Sequence, residues 1–218
     1  MPDVAAIFDM DGVLIDSYRP HFDSWRQMYH ELGSEYDEEA FAADFGRTSG
    51  DILRRTFGPD LSDERIAAMD QRKELLYREI IRRDFPAMDG ASELLQSLAA
   101  DGFRMAVGSS GPPENIALSL ELIPGGELIS AVVTRADVTR GKPDPQVFQI
   151  AADRLGVLPD RCVVFEDALH GIQAANRAGM KSVALTGTLP RDAFDTADLV
   201  VDSLRDVTPQ RLRDLIGD

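Results

Sequence analysis

Apolar residues along this chain follow two rhythms. Short apolar runs recur at Val4 to Phe8, Phe103 to Gly108, Leu128 to Thr134, Cys162 to Phe165, Ser182 to Leu185 and Leu199 to Asp202. They lack the strict apolar/polar alternation of a half-exposed strand, so they read as strands buried on both faces of a parallel sheet, the last as a short edge strand. Between them, helical spacing appears at Ala91 to Ala100 before Asp101-Gly102, at Pro113 to Leu122, at Gln146 to Leu155, and at His170 to Ala178 before Gly179. Thr208-Pro209 pairs an N-cap with proline at the first helical position and opens a last helix that stops at Gly217. Strands alternating with helices in this order predict an α/β fold with a doubly wound parallel sheet.

The alternation breaks once, between residues 16 and 87. No convincing strand is present there; helices are predicted at His21 to Leu32, ending at Gly33, and at Glu38 to Asp44, Gly50 to Phe57 and Ser62 to Arg83. Ser62 starts the last of these with Arg65 where a capping box would place Glu. Dense charge and few apolar residues are expected of a small helical lid. The predicted organisation is a core domain of residues 1–15 and 88–218 with an inserted helical cap of residues 16–87.

At 218 residues, 44% hydrophobic and 28% charged, the composition is that of a soluble globular protein, and no apolar run is long enough to cross a bilayer. Met1-Pro2-Asp3 runs straight into the first strand with no room for a leader, so a cytoplasmic protein is expected. The single cysteine, Cys162, excludes an internal disulfide and, inside an apolar run, is expected to be a buried structural thiol. A net charge of −15 argues against nucleic acid as a partner. It also requires that any phosphorylated ligand be attracted locally, by a metal, a lysine, helix N-termini or backbone N–H groups. No long exposed apolar stripe asks for a protein partner, so a monomer is expected.

The candidate chemistry sits at the strand ends, where open α/β sheets bind ligands. Val4 to Phe8 runs into Asp9-Met10-Asp11-Gly12. Side chains two apart on extended backbone share a direction, so Asp9 and Asp11 can face one crevice while Met10 turns inward and Gly12 permits a sharp turn. Two carboxylates this close imply a bound metal, a raised pKa, or both; the plain alternative is a turn that favours Asp and Gly. Later strands deliver Ser109 and Ser110, then Lys142 just past a strand, then Glu166 and Asp167. Carboxylate oxygens suit Mg²⁺, and a lysine with a hydroxyl suits a phosphoryl group.

Together these residues resemble the haloacid dehalogenase-like superfamily of phosphotransferases. Asp9-Met10-Asp11-Gly12-Val13 looks like its first motif, Ser109 its second, Lys142 in Gly141-Lys142-Pro143-Asp144-Pro145 its third and Glu166-Asp167 its fourth, and the likeness spans essentially the whole chain. The inserted helices look like the small cap of the beta-phosphoglucomutase-like branch, a similarity strengthened by His21-Phe22 and Trp25 shortly after Asp16-Ser17. The resemblance implies a Rossmann-like core and a set of roles. Asp9 would attack phosphorus to form an aspartyl-phosphate. Asp11 would protonate the leaving oxygen and then activate water. Mg²⁺ would be bound by Asp9, Asp167 and the backbone carbonyl of Asp11, with Glu166 in or next to its shell. Ser109, with Ser110 beside it, and Lys142 would hold the phosphoryl oxygens. The dehalogenase members lack an acid at the place of Asp11, which argues against carbon–halogen cleavage.

The expected activity is hydrolysis of a small phosphorylated metabolite, a sugar phosphate or a phosphorylated hydroxy acid. The alternative is a beta-phosphoglucomutase-type phosphomutase, favoured by His21, by Trp25 and by Lys73 near the cap position where those enzymes place a lysine. Against it, Ser110-Gly111-Pro112-Pro113 replaces the polar stretch with a lysine that grips the distal phosphate, and Gly46-Arg47-Thr48 is followed by Ser49 where the mutases carry a cap arginine. A non-catalytic phosphate-binding module would be expected to have lost Asp9, Asp11, Lys142 or Asp167. Cleavage of a carbon–phosphorus bond would need a lid lysine of depressed pKa, and Lys73, between Arg72 and Glu74, reads as exposed. In the lid, His21, Arg47 and Lys73 are the candidate substrate contacts; a packed histidine and solvated charged faces are the plain readings of the same residues. Trp25 reads as a core anchor, Ser110 alternatively as a partner for the next helix N-terminus, and His30 and His170 as surface residues.

Overall fold

The computed structural model describes residues 3–44 and 47–217, so Met1, Pro2, Phe45, Gly46 and Asp218 lie outside the described residues. Strands β1 (Ala5–Phe8), β2 (Arg104–Gly108), β3 (Ala131–Val133), β4 (Cys162–Glu166), β5 (Lys181–Leu185) and β6 (Leu199–Val201) form one sheet. Its order is β3-β2-β1-β4-β5-β6 and its pairings are all parallel. Both central strands, β1 and β4, are buried along their whole length, which is why their sequences are uncharged until the last residue of β4.

The register carries side chains alternately to the two faces. Ala5, Ile7, Cys162 and Val164 pack with Val147, Phe148, Ala151 and Leu155 of α7 (Gln146–Leu155) and with Ala174, Ala175 and Ala178 of and just beyond α8 (Leu169–Arg177). Phe8 and Phe165, paired across the sheet, point the other way and stack at 4.7 Å between ring centroids. Helices α5 (Ala91–Ala100), α6 (Pro113–Leu122) and α9 (Pro209–Ile216) complete this unit; Thr208 caps α9 as its sequence predicts, accepting from the Arg211 N–H. Cys162 is buried at the start of β4, as expected, and burial pushes its thiol up to about 12.

By its internal contacts the chain divides into two compact units, Met1–Asp16 with Phe85–Asp218, and Ser17–Asp84. The second is all helical: α1 (Tyr18–Glu31), α2 (Glu38–Asp44), α3 (Ser49–Phe57) and α4 (Asp63–Arg83). It has its own aromatic core of Phe22, Trp25, Tyr29, Tyr36 and Phe41 with Ile52, Leu53, Met69 and Leu76, so Trp25 is the core anchor its sequence suggests. Ser62 caps α4 by accepting from the Arg65 N–H at 3.4 Å.

Two boundaries differ from expectation. The first helix begins at Tyr18 instead of His21, because Pro20 is tolerated in a first turn whose N–H groups have no intrahelical partner. The third strand spans Ala131–Val133 and not the predicted Leu128 to Thr134. Gly125, at φ 93°, turns the chain into a short 3₁₀ segment, Gly126–Leu128, whose N–H of Leu128 bonds back to Gly125, so pairing starts later.

Candidate active site

The direction of winding reverses between β1 and β4, and the residues just past these two strands meet at that switch point. The Asp9 N–H donates to the Phe165 carbonyl at 2.9 Å, which fixes the first residue after β1 beside the last of β4. Met10 turns inward and is buried, as alternation predicts. Gly12 sits at φ 72°, and a Cβ there would collide with the Asp167 carboxylate, so glycine is required for both backbone and space. The tight turn that follows is closed by Leu14 and Ile15 N–H groups on the Met10 carbonyl.

Lys142 joins the carboxylates from the loop after β3. Its ammonium lies 2.6 Å from Glu166 Oε1 and 3.1 Å from Asp9 Oδ1, and 4.8 Å from the centre of the Phe148 ring. Glu166 is fully buried and its other oxygen accepts from the Asp167 and Ala168 N–H groups, each at 3.0 Å. A Cβ on Gly171 would run into this carboxylate, so α8 approaches closely only because it carries glycine there. Asp167 accepts from the Thr188 hydroxyl at 2.5 Å. Ser109, at the end of β2, is buried, donates its N–H to Val133 and accepts the Gly111 N–H on its hydroxyl at 3.1 Å. Ser110 is exposed and does not cap α6, whose N-cap is Pro112 without a side-chain bond, so the alternative reading of Ser110 is corrected.

Burial raises the carboxyl of Asp9 to about 6, against the opposing pull of Lys142. Burial also raises Asp167 to about 6, helped by Glu166, and raises Glu166 itself. Burial works against the charge of Lys142, but Asp9 and Glu166 outweigh it and move the ammonium upward. One half-buried lysine facing the half-buried Asp9 and the buried Glu166 and Asp167 is a site short of positive charge. Among the described residues, oxygens of Asp9, Glu166 and Asp167 lie within 4.8 Å of one another, a group able to hold a metal ion. Asp9 Oδ1 is buried, in ion-pair range of Lys142 but outside hydrogen-bond geometry, an oxygen left for another partner. Hard oxygen donors of this kind suit Mg²⁺. Glu166 has both oxygens engaged by donors, Oε1 by the Lys142 ammonium and Oε2 by the Asp167 and Ala168 N–H groups. Asp11 is half-buried next to Asp9 and Asp167, and its carboxylate is not in the group.

The remaining candidates belong to the helical unit. His21 stacks on Tyr77 at 4.2 Å and its Nδ1 is 3.0 Å from Lys73 Nζ. Lys73 is buried, 4% exposed, and paired with Glu74 at 2.9 Å, which corrects the exposed setting expected from Arg72-Lys73-Glu74. The reason is its place one turn from both Met69 and Tyr77 on the buried side of α4, where Glu74 and His21 satisfy the ammonium. Arg47 is exposed, 3.7 Å from the buried carboxylate of Asp44. His30 and His170 are exposed, as expected. Thr188, Gly171 and Phe148 escaped the sequence reading. Thr188, in Thr186-Gly187-Thr188 after β5, had the same signal as Ser109: small polar residues just past a buried strand.

The family model for haloacid dehalogenase-like hydrolases matches residues 6–185, all four strand-end motifs included. This chain belongs to that family. Among curated relatives of this hydrolase is the validoxylamine A 7'-phosphate phosphatase of Streptomyces hygroscopicus subsp. limoneus, 33% identical over 208 residues, covering 93% of this chain and 94% of that protein. Another is the fructose-1-phosphate phosphatase YqaB of Escherichia coli, 33% identical over 181 residues, covering 81% and 93%. Among solved structures, a beta-phosphoglucomutase from Clostridium difficile superposes with a TM-score of 0.83 at 26% identity, covering 99% of this chain and 97% of that one. The haloacid dehalogenase-like fold thus extends over the whole hydrolase.

Proposed function

We propose that this hydrolase is a Mg²⁺-dependent phosphatase that acts on a small phosphorylated metabolite, a sugar phosphate or a phosphorylated hydroxy acid, through an aspartyl-phosphate on Asp9. The observation that carries the reading is the meeting of Asp9, Lys142, Glu166 and Asp167 at the switch point, with an Asp9 oxygen unclaimed by any hydrogen bond. Asp9 attacks phosphorus in line. Lys142 and the Ser109 turn take phosphoryl oxygens, and the lysine screens Asp9 from the approaching anion. Asp11 gives its proton to the leaving oxygen and recovers one from water in the second half-reaction. Asp9, Asp167 and the Asp11 carbonyl would hold Mg²⁺, which would supply charge neutralisation on the transferred group. Glu166 fixes Lys142. Residues 16–87 serve as a lid, a role their sequence supports.

Relatives named as phosphatases support hydrolysis. The solved beta-phosphoglucomutase supports a second reading, sugar phosphomutase. Against it stands Ser110-Gly111-Pro112-Pro113: the stretch carries no cation for a distal phosphate, its Gly111 N–H is spent on Ser109, and Pro113 has no N–H to offer. The test is phosphate release from phosphorylated sugars and hydroxy acids with added Mg²⁺, for the wild type and Asp9→Asn, beside an assay for glucose 1-phosphate isomerisation. Metal-dependent release that disappears in the variant is expected. Isomerisation primed by a bisphosphate with little net release would overturn hydrolysis in favour of the mutase.

A further inference from the structure

The loops that follow the strands carry five cations: Arg135, Arg140, Lys142, Arg191 and Arg205. Four of them are neutralised. Arg140 pairs with Asp144 at 3.1 Å, Lys142 with Glu166 at 2.6 Å, Arg191 with Asp202 at 2.8 Å and Arg205 with Asp89 at 2.9 Å. Arg135 is exposed and, among the described residues, makes no ion pair and no side-chain hydrogen bond. Among these five strand-end cations it alone has no carboxylate partner among the described residues.

Its mount is rigid. Thr134, buried at the end of β3, gives both its N–H and its hydroxyl to Asp137 Oδ2, at 2.8 and 2.9 Å. The Asp137 N–H returns to the Thr134 carbonyl at 3.0 Å, and Arg154 holds Asp137 Oδ1 at 2.5 Å and also reaches the Val132 carbonyl. Arg135 stands at the tip of this locked turn. Its own N–H bonds to the Gly111 carbonyl at 3.3 Å, while the Gly111 N–H is held by the Ser109 hydroxyl. The guanidinium is therefore carried by the backbone that adjoins the proposed phosphoryl-binding turn, on the edge of the sheet where Asp9 and Lys142 lie.

We propose that Arg135 is a specificity-determining residue of this hydrolase: it grips a pair of adjacent oxygens, vicinal hydroxyls or a carboxylate, on the group that leaves phosphorus. The inference rests on the phosphatase reading above. On that reading the buried Ser109 and Lys142, 3.1 Å from Asp9, serve the phosphoryl oxygens, so a cation mounted farther out on the same edge meets what is attached to them. Guanidinium suits the task because its fork of donors is planar, cannot be deprotonated, and matches two oxygens side by side. The locked turn spares the backbone an ordering cost on binding and leaves only the side chain to be ordered.

The experiment compares wild type, Arg135→Gln and Arg135→Lys on fructose 1-phosphate, 2-phosphoglycolate and phenyl phosphate, with Mg²⁺ present. Phenyl phosphate has no second pair of oxygens. Arg135→Gln is expected to raise KM roughly tenfold on at least one oxygen-rich substrate, with kcat within about a factor of two and phenyl phosphate unchanged. The affected substrate distinguishes the sources: loss on 2-phosphoglycolate alone, partly restored in Arg135→Lys, means a carboxylate, and loss on fructose 1-phosphate unrestored by lysine means vicinal hydroxyls. Unchanged KM throughout, or an equal loss on phenyl phosphate, overturns the proposal while leaving the phosphatase intact. A wild type that releases phosphate from none of the three, nor from the wider panel of phosphorylated sugars and hydroxy acids, removes both readings.

Discussion

The Lys142 ammonium lies closer to Glu166 than to Asp9, at 2.6 Å against 3.1 Å. Glu166 thus anchors the lysine, and Asp9 shares it without a formed hydrogen bond. Both Glu166 oxygens accept from donors, so Glu166→Gln must turn its amide N–H₂ towards a donor and lose one bond. The expected cost is about 1–3 kcal/mol for the glutamine and about 3–5 kcal/mol for Glu166→Ala, which leaves Lys142 without its nearest partner. Denaturant unfolding of the two variants checks the order, and equal stability of both with the wild type would contradict the anchoring role.

Gly171→Ala reverses an ordinary rule. Inside a helix, alanine is better than glycine by about 1 kcal/mol. Here the added methyl would overlap the buried Glu166 carboxylate. Destabilisation of about 1–3 kcal/mol is expected instead, together with slower phosphate release, because displacing Glu166 displaces Lys142. A stabilised, fully active variant would show that the helix yields without disturbing the site.

Metal binding should register in stability as well as in turnover. A cation held by Asp9 and Asp167 binds the folded state only, and at a hundred times its dissociation constant it adds about 2.7 kcal/mol. Thermal unfolding with Mg²⁺, then with excess chelator, is expected to show a rise that the chelator reverses. Asp167→Asn should remove most of that rise. A rise of equal size in the variant would move the ion elsewhere.

Asp137 sets a pH window. Its bond from Arg154, and next its bond from the Thr134 N–H, hold its carboxyl down to about 2 from an ordinary 3.8. A depressed carboxyl stabilises the fold fully above the ordinary value and loses that contribution as pH falls towards the folded one. With solvent screening of this exposed pair taken into account, Asp137→Asn is expected to cost about 1 kcal/mol at pH 7. The deficit against wild type should hold constant from pH 7 to 5 and shrink between pH 4 and 2. Urea unfolding across that range decides it, and a deficit that widens in acid would reverse the assignment.

Strand ends were legible because burial on both faces forces an uncharged run, so the first polar residue after it marks where the sheet stops. Asp9, Ser109, Glu166 and Asp167 all announce themselves in this way. Lys73 did not: Arg72-Lys73-Glu74 reads as a solvated surface, although spacing from Met69 to Lys73 to Tyr77 follows the buried side of α4. An ion pair formed inside the helical unit hides a charge that a linear pattern displays. The late start of β3 was hidden for another reason, since a glycine-driven turn consumed residues whose composition suits a strand equally well. Gly171 and Gly12 lay beyond a linear reading because what they avoid, the carboxylates of Glu166 and Asp167, is distant in sequence.

The central strand is also the first one made. Ala5 pairs with Arg104 on one side and Cys162 on the other, so β1 leaves the ribosome long before either neighbour exists. At about 5–20 residues per second, roughly ten to thirty seconds of synthesis separate Ala5 from Cys162. Meanwhile the aromatic core of the helical unit is complete once Leu76 has emerged. Translation therefore delivers the inserted helices as a closed package while the strand that leads into Asp9 waits, unpaired and wholly apolar, for partners encoded far downstream. During that interval the nascent chain depends on whatever shields Ala5–Phe8 from other exposed strands.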